Sequence, residues 1–178
     1  MEKKIIIAGF GGQGIVLAGN VLAQTALLEN KNVAAMVSYG AEMRGGAAYC
    51  TIIIGDKEIA SPVVDEPDIA LILNQPSLDK FENQVVKNGL IVLNSSLIES
   101  EVKRNDLEVI KVPATDVANK LGNVKVANLV LLGAFIKKTN ILDLNNILEN
   151  LDKFFPKNKL DLIEINKRAL KQGAELCS

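Results

Sequence analysis

A chain of 178 residues, 48% hydrophobic and 23% charged, has the composition of a globular protein able to bury one sizeable core. Its net charge of −1 supplies no global field for nucleic acid or an anionic membrane surface, and no local basic patch stands out. Histidine is absent, which excludes Ser-His-Asp triads, imidazole acid–base chemistry and ordinary zinc ligation; two cysteines, Cys50 and Cys177, exclude a disulfide framework and a four-thiolate metal site.

Taken in order, Lys4 to Ala8 reads as a first strand and Ile15 to Glu29 as the helix after it. Between them lies Gly9-Phe10-Gly11-Gly12-Gln13-Gly14, whose glycines at 9, 11 and 14 fit G-x-G-x-x-G at a strand-to-helix turn. Val33 to Ser38 is a second strand, and Tyr39 to Gly46 a loop with three glycines. Ala47 to Ile54 is a strand, with Gly55-Asp56-Lys57 predicted to turn it as a hairpin into Glu58 to Ser61. Asp68 to Leu73 follows as a strand, and Pro76 opens a helix through Val86. Leu90 to Leu93 and Leu107 to Val112 are further strands, the second followed by Pro113 and a short helix ending near Gly122. Lys125 to Lys137, Leu142 to Phe155 and Leu160 to Gly173 read as helices, with Cys50 as a small buried hydrophobe inside its strand.

This alternation predicts an α/β fold, Rossmann-like and doubly wound, with a mostly parallel sheet, an antiparallel hairpin and a helical C-terminal region. Residues 1–178 are expected to form one domain. The longest apolar stretch, Val126 to Ile136, is interrupted by Asn128 and falls far short of the roughly 20 residues of a spanning helix. No signal peptide is visible, so the expected location is cytoplasmic.

Three segments are placed to carry chemistry. Gly9, Gly11, Gly12, Gln13 and Gly14 permit a tight turn and close approach by a ligand or another chain, with the helix N-terminus offering N–H groups to an anion. A nicotinamide site would add an acid at the end of the second strand to hold the ribose, but that strand ends in Ser38-Tyr39 and the next carboxylate is Glu42. The second segment, Ser38-Tyr39-Gly40-Ala41-Glu42-Met43-Arg44-Gly45-Gly46, emerges at the same sheet edge. Arg44 between glycines has the planar fork of donors that clamps a carboxylate or phosphate; a solvated Glu42/Arg44 pair on a surface loop is the plainer alternative. The third is Asn74-Gln75-Pro76-Ser77-Leu78-Asp79-Lys80-Phe81, in which Asn74 and Gln75 face the same cleft or simply start a helix. Lys125 and Asn128 are weaker candidates, read by default as surface residues. On spacing alone, a nucleotide-binding module, either an NAD(P)-dependent reductase or a regulatory domain, stays open.

Together these motifs, with Ser61-Pro62 and Pro67-Asp68 between them, closely resemble the gamma subunit of 2-oxoacid:ferredoxin (acceptor) oxidoreductases, in the same order over nearly the whole chain. The Glu42-Met43-Arg44-Gly45-Gly46 form is more similar to the 2-oxoglutarate branch than to the pyruvate branch. The resemblance implies a multi-subunit enzyme in which thiamine diphosphate, with Mg, decarboxylates the 2-oxoacid, coenzyme A takes the acyl group, and iron–sulfur clusters pass electrons to ferredoxin or another acceptor. Those cofactors are implied to sit on alpha, beta and ferredoxin-like delta partner subunits, with none bound by this chain alone. The gamma chain is implied to pack beside the active site and to help coenzyme A access. Gly9, Gly11, Gly12, Gln13, Gly14, Ser38, Tyr39, Glu42, Arg44, Gly45, Gly46, Asn74 and Gln75 are the expected ligand- or subunit-contact residues, and no catalytic or metal-ligating residue is expected.

Overall fold

The computed structural model describes residues 2–39, 47–155 and 162–177. Six strands, β1 (Glu2–Phe10), β2 (Asn32–Tyr39), β3 (Ala47–Gly55), β4 (Ile69–Ile72), β5 (Leu90–Asn94) and β6 (Glu108–Val112), form one sheet in the order β2-β3-β1-β4-β5-β6. The helices are α1 (Ile15–Leu28), α2 (Gln75–Phe81), α3 (Ala114–Lys120), α4 (Ala127–Thr139), α5 (Leu144–Asn150) and α6 (Ile163–Glu175). β1, β4, β5 and β6 pair in parallel, while β3 runs antiparallel to both of its neighbours, so β2 points the same way as β1.

The uninterrupted apolar run Ile5-Ile6-Ile7-Ala8 is buried throughout, as a strand covered on both faces requires. Strand alternation splits it between two cores. Ile5 and Ile7 join the larger one, built with α1, α3, α4, α5 and α6 on one face. Ile6 and Ala8 join the smaller one, with Leu78 and Phe81 of α2, Val85 and Ile98 on the other. Within the larger core α4 crosses α6 with backbones nearly touching. A Cβ on Gly133 would lie 2.0 Å from the Leu170 carbonyl oxygen, and one on Gly173 would lie 1.9 Å from that of Val130.

Two sequence expectations are corrected. The hairpin at Gly55-Asp56-Lys57 is absent, and Glu58 to Ser61 is not a strand. The antiparallel element is β3 itself; because strands already flank both of its edges, a returning strand would have nothing there to pair with. The chain instead leaves the sheet and crosses its face, where the Pro62 carbonyl accepts a hydrogen bond from the Thr51 hydroxyl at 3.4 Å. The helix expected through Val86 ends at Phe81 and tightens into a 3-10 turn over Glu82–Gln84. Glu82 is buried there because its Oε1 accepts the Lys103 and Arg104 N–H groups at 2.5 and 2.8 Å. The Arg104 guanidinium in turn donates to the carbonyls of Glu82 and Val85, at 3.2 and 2.5 Å, in the place of further helical N–H groups. Among the described residues no helix is long and apolar enough to cross a membrane.

Candidate functional site

The glycine turn lies between the carboxyl end of β1 and the start of α1, closed by a hydrogen bond from the Gln13 N–H to the Phe10 carbonyl at 3.1 Å. Gly12 (φ 95°) and Gly14 (φ 74°) have left-handed backbones, which L side chains adopt only at a cost. The four glycines nevertheless do different work. A Cβ on Gly9 would meet Gln13 Oε1 at 2.6 Å, and one on Gly14 would meet Asn128 Nδ2 at 2.4 Å, so these two positions are packed from inside. Gly11 and Gly12 are exposed, and among the described residues no neighbouring atom lies within 4 Å of either hypothetical Cβ. Gly14 starts α1 without a side-chain cap, and the first turn of that helix carries no acidic residue. Its leading N–H groups therefore suit an acceptor or an anion.

A row of side-chain amides fixes this edge. Gln13 Oε1 accepts from the Phe10 N–H at 2.7 Å and from Asn74 Nδ2 at 3.1 Å, tying the turn to the end of β4. The side-chain carbonyl of Gln13 is thus engaged within the chain. Asn74 also accepts the Ser77 N–H at 3.0 Å, so it caps α2, with Pro76 in the first turn. Gln75 turns aside, donating to Asp79 Oδ1 at 2.9 Å and accepting from the Ser100 N–H at 3.3 Å. At the end of β5, Asn94 repeats the device: it donates to Thr115 Oγ1 at 2.8 Å and accepts the Thr115 N–H at 3.2 Å, holding the start of α3. Asn128, at the start of α4, donates to the Gly14 carbonyl at 2.8 Å and is 2% exposed.

Reading Asn128 as a surface residue is therefore wrong, and Asn94 was missed altogether. The available signal was an asparagine inside the apolar run Val126 to Ile136: a polar group there must be bonded to something. Lys125, by contrast, is exposed as expected.

Register brings the second segment to the same edge. Phe10 pairs with Ala47 and Tyr39 with Ala48, so β2 ends and β3 begins beside the glycine turn. Ser38, half-buried, pairs with Tyr49. Glu42, Arg44, Gly45 and Gly46 lie outside the described residues. Near the α2 side of this edge the Lys80 ammonium sits 4.7 Å from the ring centre of Tyr49, which meets Phe81 edge-on.

Cys50 packs beneath α1, its thiol donating to the Ile15 carbonyl at 3.6 Å, and burial pushes its pKa up to about 12. A thiol held neutral is neither nucleophile nor ligand. With Cys177 the only other sulfur donor of its kind, the residues do not fit an iron–sulfur cluster, which takes four thiolates. A cleft of about 620 Å³ opens at the opposite, amino edge of the parallel strands. Lys3–Asp68, Lys31–Asp56 and Lys138–Glu108 pairs, at 3.7, 3.6 and 2.5 Å, line it, and it contains none of the sequence-derived site residues.

A mostly parallel sheet, a glycine turn at the end of its first strand and no ribose-holding acid at the end of the second define a Rossmann-like module lacking the nicotinamide selector. The chain belongs to the pyruvate ferredoxin/flavodoxin oxidoreductase family, whose model matches residues 4–176. It is 37% identical to the ketoisovalerate oxidoreductase subunit VorA of Methanothermobacter thermautotrophicus over 98% of its own length. That alignment takes in only 36% of VorA, so the chain spans about a third of this relative. It is 35% identical to the 2-oxoglutarate synthase subunit KorC of Methanocaldococcus jannaschii, over 99% of this chain and 94% of KorC. The keto/oxoacid ferredoxin oxidoreductase gamma subunit of Geobacter sulfurreducens has the same fold, with a TM-score of 0.84, 27% identity and 98% of each chain covered.

Proposed function

We propose that this chain is the gamma subunit of a 2-oxoacid:ferredoxin (acceptor) oxidoreductase, with 2-oxoglutarate as the 2-oxoacid. The complex oxidatively decarboxylates its substrate to an acyl-coenzyme A and passes two electrons to ferredoxin or another acceptor. Thiamine diphosphate, Mg and the iron–sulfur clusters belong to alpha, beta and ferredoxin-like delta partners; coenzyme A is the acyl acceptor. Family membership over residues 4–176 carries the assignment, and the shared length with KorC favours the 2-oxoglutarate form.

The role proposed for the chain is to present its carboxyl edge to the thiamine-bearing partners. Gly11 and Gly12 are exposed, with no neighbouring atom of the described residues within 4 Å of an added Cβ, while Gln13, Asn74 and Asn128 hold the turn from behind. Such a turn admits a neighbouring backbone or a phosphate of coenzyme A to the N-terminus of α1, where Arg44 would supply the countercharge. Affinity purification of the tagged chain from its native source tests the assignment. Larger chains carrying thiamine diphosphate are expected to copurify in fixed ratio; recovery of the chain alone would contradict it.

A further inference from the structure

The cleft at the amino edge of the parallel strands, about 620 Å³, has the volume of a small-molecule site. Ile54, Ile69 and Leu90, all largely buried, give it an apolar lining. Four lysines, Lys3, Lys31, Lys87 and Lys138, meet three carboxylates around it, and no arginine lines it.

Those charges are unequally committed. Glu108 takes Lys138 at 2.5 Å, a hydrogen-bonding distance. Asp68 does not depend on a lysine: its Oδ2 accepts the Lys4 N–H at 2.8 Å, and Lys3 stands 3.7 Å from its Oδ1. Lys31 stands 3.6 Å from Asp56, whose side chain is 60% exposed and so open to water. Pairs this long and this exposed contribute little. Lys87 is exposed and forms no ion pair among the described residues. Asp106, which feels its charge, is bonded by Arg104 at 2.6 and 3.0 Å. Lys3, Lys31 and Lys87 are therefore free to turn to an anion without stranding a buried carboxylate.

Their spacing sets the shape of that anion. Lys3 is on β1, Lys31 directly precedes β2, and Lys87 lies before β5. In the order β2-β3-β1-β4-β5, each of the outer two is two strands from Lys3, about 10 Å at ordinary strand spacing. One phosphate ion does not span such a row. Without arginine the cleft lacks the planar fork that grips a carboxylate through two bonds, whereas lysine holds a phosphoryl oxygen as a point charge.

We propose that this cleft binds an elongated small molecule carrying two or more phosphoryl groups, held by Lys3, Lys31 and Lys87, with its uncharged middle on Ile54, Ile69 and Leu90. The site lies at the sheet edge away from the glycine turn and is independent of the role proposed for that turn.

Isothermal titration calorimetry of the full chain with fructose 1,6-bisphosphate, ATP and inorganic phosphate tests it, the first two separating sugar phosphates from nucleotides. At least one of those two should bind at a single site, with inorganic phosphate about tenfold weaker or silent. Lys31→Ala and Lys87→Ala should each weaken that binding about tenfold while leaving the melting curve unchanged. Lys171→Ala, exposed on α6 outside the cleft, should leave it as it is. Absence of binding by both larger probes, equal binding of inorganic phosphate, or equal losses in all three lysine variants would each overturn the proposal. So would binding that ignores Lys31 and Lys87 but is lost in Arg44→Ala, since the phosphate would then sit at the glycine turn.

Discussion

Replacing Gly14 by alanine tests how the glycine turn is held. The new Cβ would lie 2.4 Å from Asn128 Nδ2, so the asparagine must move and the 2.8 Å bond to the Gly14 carbonyl is lost. Two costs add. An alanine at φ 74° costs about 1–2 kcal/mol. A buried amide donor left unpaired costs about 1–3 kcal/mol, and Asn128, at 2% exposure, is screened from solvent. Gly14→Ala should therefore destabilise the chain by about 2–5 kcal/mol. Asn128→Ala removes donor and acceptor together and leaves the Gly14 carbonyl bonded to the Ala18 N–H, so about 0.5–1.5 kcal/mol is expected. In the double variant the collision is gone and only the backbone cost remains beside the Asn128 loss. The cycle should then show a coupling of about 1–3 kcal/mol, measured by urea unfolding of the four proteins. Additivity within about 0.5 kcal/mol would refute the contact on which this account of the turn rests.

Gly11→Trp should leave the isolated chain's stability within about 0.5 kcal/mol, since that position is exposed and no neighbouring atom of the described residues lies within 4 Å of it, yet abolish copurification of the larger chains; unaffected assembly would remove the turn from the interface. Gly133→Ala drives a methyl into the Leu170 carbonyl at 2.0 Å and should cost at least about 2 kcal/mol by urea unfolding, despite alanine's better helix propensity. Cys50 is pushed from 9.0 to about 12 by burial, so its neutral form favours the fold fully below pH 9, and that contribution is lost as pH rises from 9 towards 12. Cys50→Ala should flatten the alkaline stability profile relative to the parent, and native Cys50 should resist iodoacetamide at pH 8. Asp106 is held below its ordinary 3.8 chiefly by its hydrogen bond from Arg104; its stabilisation is present above that value and lost as pH falls below it. Asp106→Asn should accordingly lessen the acid dependence of urea midpoints between pH 5 and pH 2.

Most strands and helices were legible because period and punctuation agreed: Ile5 to Ala8 before a glycine turn, Pro76 opening α2, and glycine or asparagine closing several helices. What escaped depends on groups distant in sequence. The supposed hairpin failed because both edges of β3 are filled by β2 and β1, which the local turn chemistry of Gly55-Asp56-Lys57 cannot reveal. α2 stops early because Arg104, 19 residues beyond Val85, takes the helix-end carbonyls. At the site the glycines were visible at once, but their division into two packed and two open positions depends on Gln13, Leu73 and Asn128. Asn128 lies 114 residues from the carbonyl it holds, and nothing local marks that partnership.

The central claim is that this chain serves a 2-oxoacid oxidoreductase, and activity of the complex recovered through it tests that most directly. Reduction of a viologen dye should require both 2-oxoglutarate and coenzyme A, yield succinyl-coenzyme A, and fall when this chain is stripped from the complex. A recovered complex with no 2-oxoacid-dependent dye reduction, or with activity unchanged after the chain is removed, would contradict the account.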